Sequence, residues 1–124
     1  MKKFVLVLMV LVLAVAMQPA QAQHFHVLHE FQNGPFDGAS PAGALVRDEA
    51  GNLYGTTGHG GLNQEGVVYK IDPSGAESIL FSFDGTNGSN PAWGNLIFDA
   101  AGNLYGGAGA GGVYRGGVVF EITP

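Results

Sequence analysis

Asp48-Glu-Ala-Gly-Asn-Leu-Tyr-Gly55 returns 51 residues later as Asp99-Ala-Ala-Gly-Asn-Leu-Tyr-Gly106. The same offset carries Gly60-Gly61 onto Gly111-Gly112, and Gly66-Val-Val-Tyr-Lys-Ile71 onto Gly117-Val-Val-Phe-Glu-Ile122. Upstream the match continues with a drift of one residue either way. Val27-Leu-His-Glu-Phe31 resembles Ile79-Leu-Phe-Ser-Phe83, and Ser40-Pro41 resembles Asn90-Pro91. Self-similarity at a period of this size is the signature of repeat architectures such as solenoids and propellers.

Each copy reads as short strands separated by turns. In the first copy these are Phe25–Phe31, Gly43–Asp48, Leu53–Thr57 and Val67–Asp72, rich in β-branched and aromatic residues. Asp48-Glu-Ala-Gly51-Asn52 has hairpin chemistry, because the Asp carboxylate can accept a backbone N–H two residues on and Gly51 or Asn52 can take positive φ. Asp72-Pro73-Ser74-Gly75 has the Pro and Gly spacing of a type I turn. No stretch beyond residue 22 shows the 3.6-residue period of a helix, and glycine punctuates the chain from Gly34 onward.

The fold class expected is therefore all-β: two tandem four-stranded, propeller-blade-like antiparallel meanders in units of about 27–78 and 79–124. The first runs Gly43–Asp48, Leu53–Thr57, Val67–Asp72 and Ser78–Phe83; the second has three strands up to Pro124. Two blades are too few to close a propeller in one chain, since closed rings use about four to eight. Three arrangements are open: a piece of a longer repeat protein, self-association in which the Phe25–Phe31 strand completes a neighbour's blade, or an open pair with exposed edges.

Residues 1–22 read as a cleavable signal peptide. Lys2 and Lys3 precede an apolar run from Phe4 to Met17, and Ala20-Gln21-Ala22 has the form of a cleavage site. The run is shorter than the roughly 20 residues a spanning helix needs, so no membrane contact is expected once it is removed. Cleavage changes the formal charge from −5 to −7, because it takes two of the five basic residues and none of the ten acidic ones. A basic footprint for nucleic acid is absent. The expected location is secreted or periplasmic. The chain has no cysteine, so its stability owes nothing to disulfides.

The pattern of a Phe-rich strand, a proline, Gly51-Asn-Leu-Tyr-Gly-Thr-Thr57, Gly60-Gly61 and Gly66-Val-Val-Tyr69 resembles the GloVer (Gloeo/Verruco) tandem-repeat proteins of bacteria, over Val27 to Pro124. The second copy departs from it at Gly107-Ala108, where the pattern has two threonines. The resemblance implies export and a propeller-like fold; it implies no activity and no catalytic residues.

Few residues suggest chemistry. Gly107, Gly109 and Gly112 fit G-x-G-x-x-G, but another strand comes next where a dinucleotide site needs a helix, so no cofactor is expected. His24, His26 and His29 cluster near the mature N-terminus, and His59 lies in the first Gly-rich loop. His24, His26 and His59 are weak candidates for a metal, because no third ligand is fixed by spacing. Asp84 to Asn90 offers oxygen ligands without the spacing of a calcium loop and reads as a turn. Asp48, Asp72 and Asp99 are accounted for by their hairpins, which leaves no catalytic set.

Repeat proteins place function where copies differ. Trp93, Tyr114 and Arg115 are such positions, suited to stacking on sugar rings or anchoring a partner, while Trp93 equally fits a core between blades. The function expected is a non-catalytic exported binding or scaffold module, with carbohydrate or cell-surface contacts. The alternative is a hydrolase or lyase active only when chains assemble into a closed ring.

Overall fold

The computed structural model describes residues 22–124; the expected leader, apart from Ala22, lies outside the described residues. Among the described residues eight strands form two antiparallel sheets, and neither closes into a barrel or ring. The strands are β1 (Gly38–Pro41), β2 (Val46–Arg47), β3 (Leu53–Gly60), β4 (Val67–Ile71), β5 (Glu77–Ser82), β6 (Ile97–Phe98), β7 (Leu104–Ala108) and β8 (Val118–Ile122). The first sheet has the order β1-β3-β4-β5, with β2 also on β3, and the second has β6-β7-β8. A 3-10 turn, η1 (Pro91–Trp93), lies between them, and no α-helix occurs among the described residues.

The repeated octapeptide makes the same hairpin twice. Asp48 Oδ1 accepts the Asn52 amide at 2.9 Å, and its Oδ2 accepts Asn52 Nδ2 at 2.8 Å and the Tyr54 hydroxyl at 2.9 Å. Asp99 receives Asn103 and Tyr105 in the same way, at 2.9, 2.8 and 3.0 Å. Gly51 and Gly102 take the positive φ, at 89° and 85°. One carboxylate thus satisfies the turn amide and fixes the aromatic ring of the outgoing strand, which explains why Asp, Gly, Asn and Tyr recur together.

Backbone conformation repeats as closely as sequence. Ser40 and Asn90, each before a proline, are left-handed at φ 60° and 52°; Gln64 and Arg115, 51 apart, are left-handed at 62° and 58°. Ala39 pairs with His59 on β1–β3, and Ser89 bridges Ala110 at the corresponding place in the second copy. Of the strand expected over Gly43–Asp48 only Val46–Arg47 forms, as β2; β1 lies upstream of that span, and the two share one edge of β3 in succession, Pro41 opposing Thr57 and Val46 opposing Tyr54.

Packing joins the units. Val67, Tyr69 and Ile71 of β4 point to one face, where Phe31, Leu53 and Ile79 cover them. Their counterparts Val118, Phe120 and Ile122 of β8 pack on Phe83 and Leu104, against Val68 from the opposite face of β4. The second cluster is the image of the first. Phe31 meets Tyr69 edge-on at 5.0 Å, and Phe83 meets Phe120 edge-on at 5.3 Å. Tyr69 and Phe120 each lie over a glycine, Gly55 and Gly106, where a Cβ would strike the ring.

The strand expected over Phe25–Phe31 needs correction: those residues form no strand. Their sequence counterpart is β5, which is held as a strand by β4. Among the described residues nothing occupies the place of a preceding β4, so the segment keeps its side-chain contacts without a ladder. Nor does it complete the second unit, because Phe31 packs on Tyr69 of the first.

Candidate functional site

Three polar side chains that are distant in sequence converge at the joint between the N-terminal segment and the first sheet. His29 comes from the segment, Asp37 from the loop before β1, and Glu77 from the start of β5. His29 Nε2 lies 3.4 Å from Asp37 Oδ1 and 3.6 Å from Glu77 Oε2. The ring of His29 is fixed edge-on against Phe31 at 4.6 Å, and Phe31 is fixed in turn by Tyr69. Asp37 is held by backbone: its Oδ1 accepts the Gly38 amide at 2.7 Å and its Oδ2 the Gln32 amide at 2.5 Å. A cleft of about 510 Å³ opens beside the three, lined also by Gln32, Pro35 and Phe36.

The two carboxyl groups titrate in opposite directions. Burial works to raise Asp37, but the amides of Gln32 and Gly38, with His29, hold it below the usual carboxylate range. Glu77 is pushed up to about 7, first by burial and then by the negative charge of Asp37, with His29 offsetting only part. Glu77 Oε1 is buried and has no hydrogen-bond partner. Such an atom is uncommon in a folded interior and calls for a physical reason.

The residues singled out from sequence lie elsewhere. His24 and His26 are exposed, their rings stacked 6.4 Å apart, and His59 is exposed on β3. Among the described residues the imidazole brought to two carboxylates is that of His29. Trp93 is 80% exposed on η1, while Pro91 and Ala92 beside it are buried, so Trp93 is not a core residue. Tyr114 is 96% exposed in the loop between β7 and β8. Arg115 borders a second cleft of about 720 Å³ with Glu65, Asp84, Thr86 and Ser89; neither Trp93 nor Tyr114 lines it. Asp84 closes its own turn, with Oδ1 accepting the amides of Thr86 and Asn87 at 2.9 and 3.0 Å. Gly107, Gly109 and Gly112 lie on β7 and in the loop after it, with a strand and no helix beyond.

Sequence reasoning missed Asp37 and Glu77. The available signal was that neither acid sits at a repeated hairpin position, unlike Asp48 and Asp99.

Compared with known proteins, residues 13–124 match one family model, described as the Gloeobacter/Verrucomicrobia repeat. The match reaches upstream of Val27, into the apolar run. No curated protein matches the chain.

Proposed function

The chain belongs to the Gloeobacter/Verrucomicrobia repeat family, and on that premise we propose that it is an exported, non-catalytic repeat module acting as a binding or scaffold element at the cell surface or in the periplasm. The observation that carries this reading is the pair of matching unit contacts. The first unit presents one face to the N-terminal segment and the opposite face to the second unit. Val68, on the C-terminal-facing side of the first unit, is fully buried; Val119, its counterpart in the second, is 87% exposed. Exposed apolar residues that repeat a buried position mark a surface built to be covered. Ile97, Trp93 and Tyr114 of the second unit are also exposed, which supplies aromatic and aliphatic area for a ligand or a further unit.

Export rests on Lys2-Lys3, the apolar run and Ala20-Gln21-Ala22. The test is to express the full chain in a bacterial host and measure the mass recovered from periplasm and medium. The expected species is Gln23–Pro124. An uncleaved chain confined to the cytoplasm contradicts export. The scaffold part is tested on the same material by light scattering, where mass should rise in chain multiples with concentration; an unchanging monomer contradicts it.

A further inference from the structure

The buried oxygen of Glu77 needs a partner that the fold does not provide. The Glu77 side chain is only 10% exposed, and its Oε1 accepts no hydrogen bond. A second carboxylate, Asp37, stands beside it, and no lysine or arginine lines the cleft they share. Two carboxylates in a half-buried cleft without a fixed cation are costly to hold. The remaining neighbour, His29, offers a ring nitrogen that serves as a metal ligand when neutral.

The spacing fits an ion. One ligand atom from each of the three residues lies within 4.8 Å of the others. Bonds of about 2.0–2.1 Å to a tetrahedral centre put neighbouring ligand atoms about 3.3–3.4 Å apart. The two separations from His29 Nε2, 3.4 and 3.6 Å, are close to that value, and the carboxylate oxygens of Asp37 and Glu77 lie within 4.8 Å of each other. Asp37 is already oriented by two backbone amides, and the ring of His29 by Phe31. Such supporting contacts are what hold ligands in place around a metal.

We propose that His29, Asp37 and Glu77 form a binding site for a divalent first-row transition-metal ion, held by the imidazole Nε2 and one oxygen of each carboxylate. The open side of the cleft leaves room for water as a fourth ligand. One imidazole with two carboxylates suits Zn²⁺ and its neighbours in the series; Ca²⁺, which takes oxygen ligands alone, fits less well. The ligands come from the N-terminal segment, the loop before β1, and β5, so the ion acts as a clamp. It fastens the segment that lacks a ladder to the sheet it covers. The rival is a proton shared between Asp37 and Glu77, which would satisfy the same atoms without metal.

The experiment uses the exported wild-type protein, stripped with EDTA and titrated with ZnCl₂ at neutral pH by calorimetry and by thermal unfolding. One Zn²⁺ per chain is expected, with Tm rising by about 10 °C at about a hundred times the Kd. E77Q removes the negative charge without a cavity and should stay folded. It should weaken Zn²⁺ by more than about tenfold, since even loss of a supporting contact costs about that much. The double variant H24A/H26A should bind as wild type does. Absence of Zn²⁺ binding to the wild type would overturn the site. Binding that survives E77Q but is lost in H24A/H26A would overturn it equally, by placing the ion on the terminal histidines.

Discussion

Replacing Phe83 with alanine should lower the unfolding free energy by about 3–5 kcal/mol, the range for emptying an aromatic site in a core. Phe83 is fully buried and belongs to the cluster of Val68, Leu96, Leu104 and Ala108 that joins the two sheets. It meets Phe81 at 5.0 Å and Phe120 at 5.3 Å, both edge-on, so the loss removes two aromatic contacts as well as area. Domains of this size have about 5–15 kcal/mol in total, and this one has no disulfide to limit its unfolded state. The urea midpoint should therefore fall by about 2 M, in a single transition for both sheets. Phe31, the repeat counterpart, is only half-buried, and its alanine variant should cost less than half as much. A change below about 1 kcal/mol for Phe83→Ala would mean that the sheets do not share a core.

The second large effect is expected at a glycine. Gly66 precedes β4 with φ +96°, and a Cβ there would run into the carbonyl oxygen of Thr57 and into Pro91 Cδ at 2.7 Å. Its amide donates to the Gly60 carbonyl at 3.1 Å and its own carbonyl accepts the Phe83 amide at 3.0 Å, so the backbone cannot turn aside. Gly66→Ala should cost about 3 kcal/mol or more, combining left-handed strain with a clash against backbone. Gly117 holds the same place in the second unit, at φ +90°, with a Cβ meeting the Ala108 carbonyl oxygen at 2.5 Å. The three atoms nearest that Cβ belong to the backbone of Ala108 and Gly109, with no proline among them, and Gly117 is half-buried where Gly66 is buried. Gly117→Ala should therefore cost about half as much, as the edge of the sheet can shift. Chemical denaturation of both variants decides this; equal costs would contradict the difference in packing between the two units.

The features legible in the sequence are those that short segments decide for themselves. Asp48 and Asp99 close their hairpins through atoms four to six residues away, so the turns and the strands flanking them come from local chemistry. The Gly-Gly and Gly-Val-Val boundaries arise likewise, from positive φ at Gly60, Gly61 and Gly66. Phe25–Phe31 misleads because a strand needs a partner: the same pattern is a strand in β5, which has one, and none in the N-terminal segment. Trp93 is ambiguous in sequence because its type suits a core as well as a surface, and the short η1 turn directs Pro91 and Ala92 inward instead. Sequence marks Asp37 and Glu77 only as acids outside the repeated hairpins and does not bring them to His29, because the contact that assembles the cluster is the stacking of the N-terminal segment on β4, a matter of tertiary packing between segments distant in the chain.

One packing contact occurs twice in the molecule, with the N-terminal segment in the place of a preceding unit's outer strand. Ring-to-ring nuclear Overhauser contacts in the exported protein test it most directly. Contacts are expected between Phe31 and Tyr69 and between Phe83 and Phe120, at the separations of 5.0 and 5.3 Å. Contacts from Phe31 to Phe120 in place of Tyr69 would contradict it, since the segment would then complete the second unit.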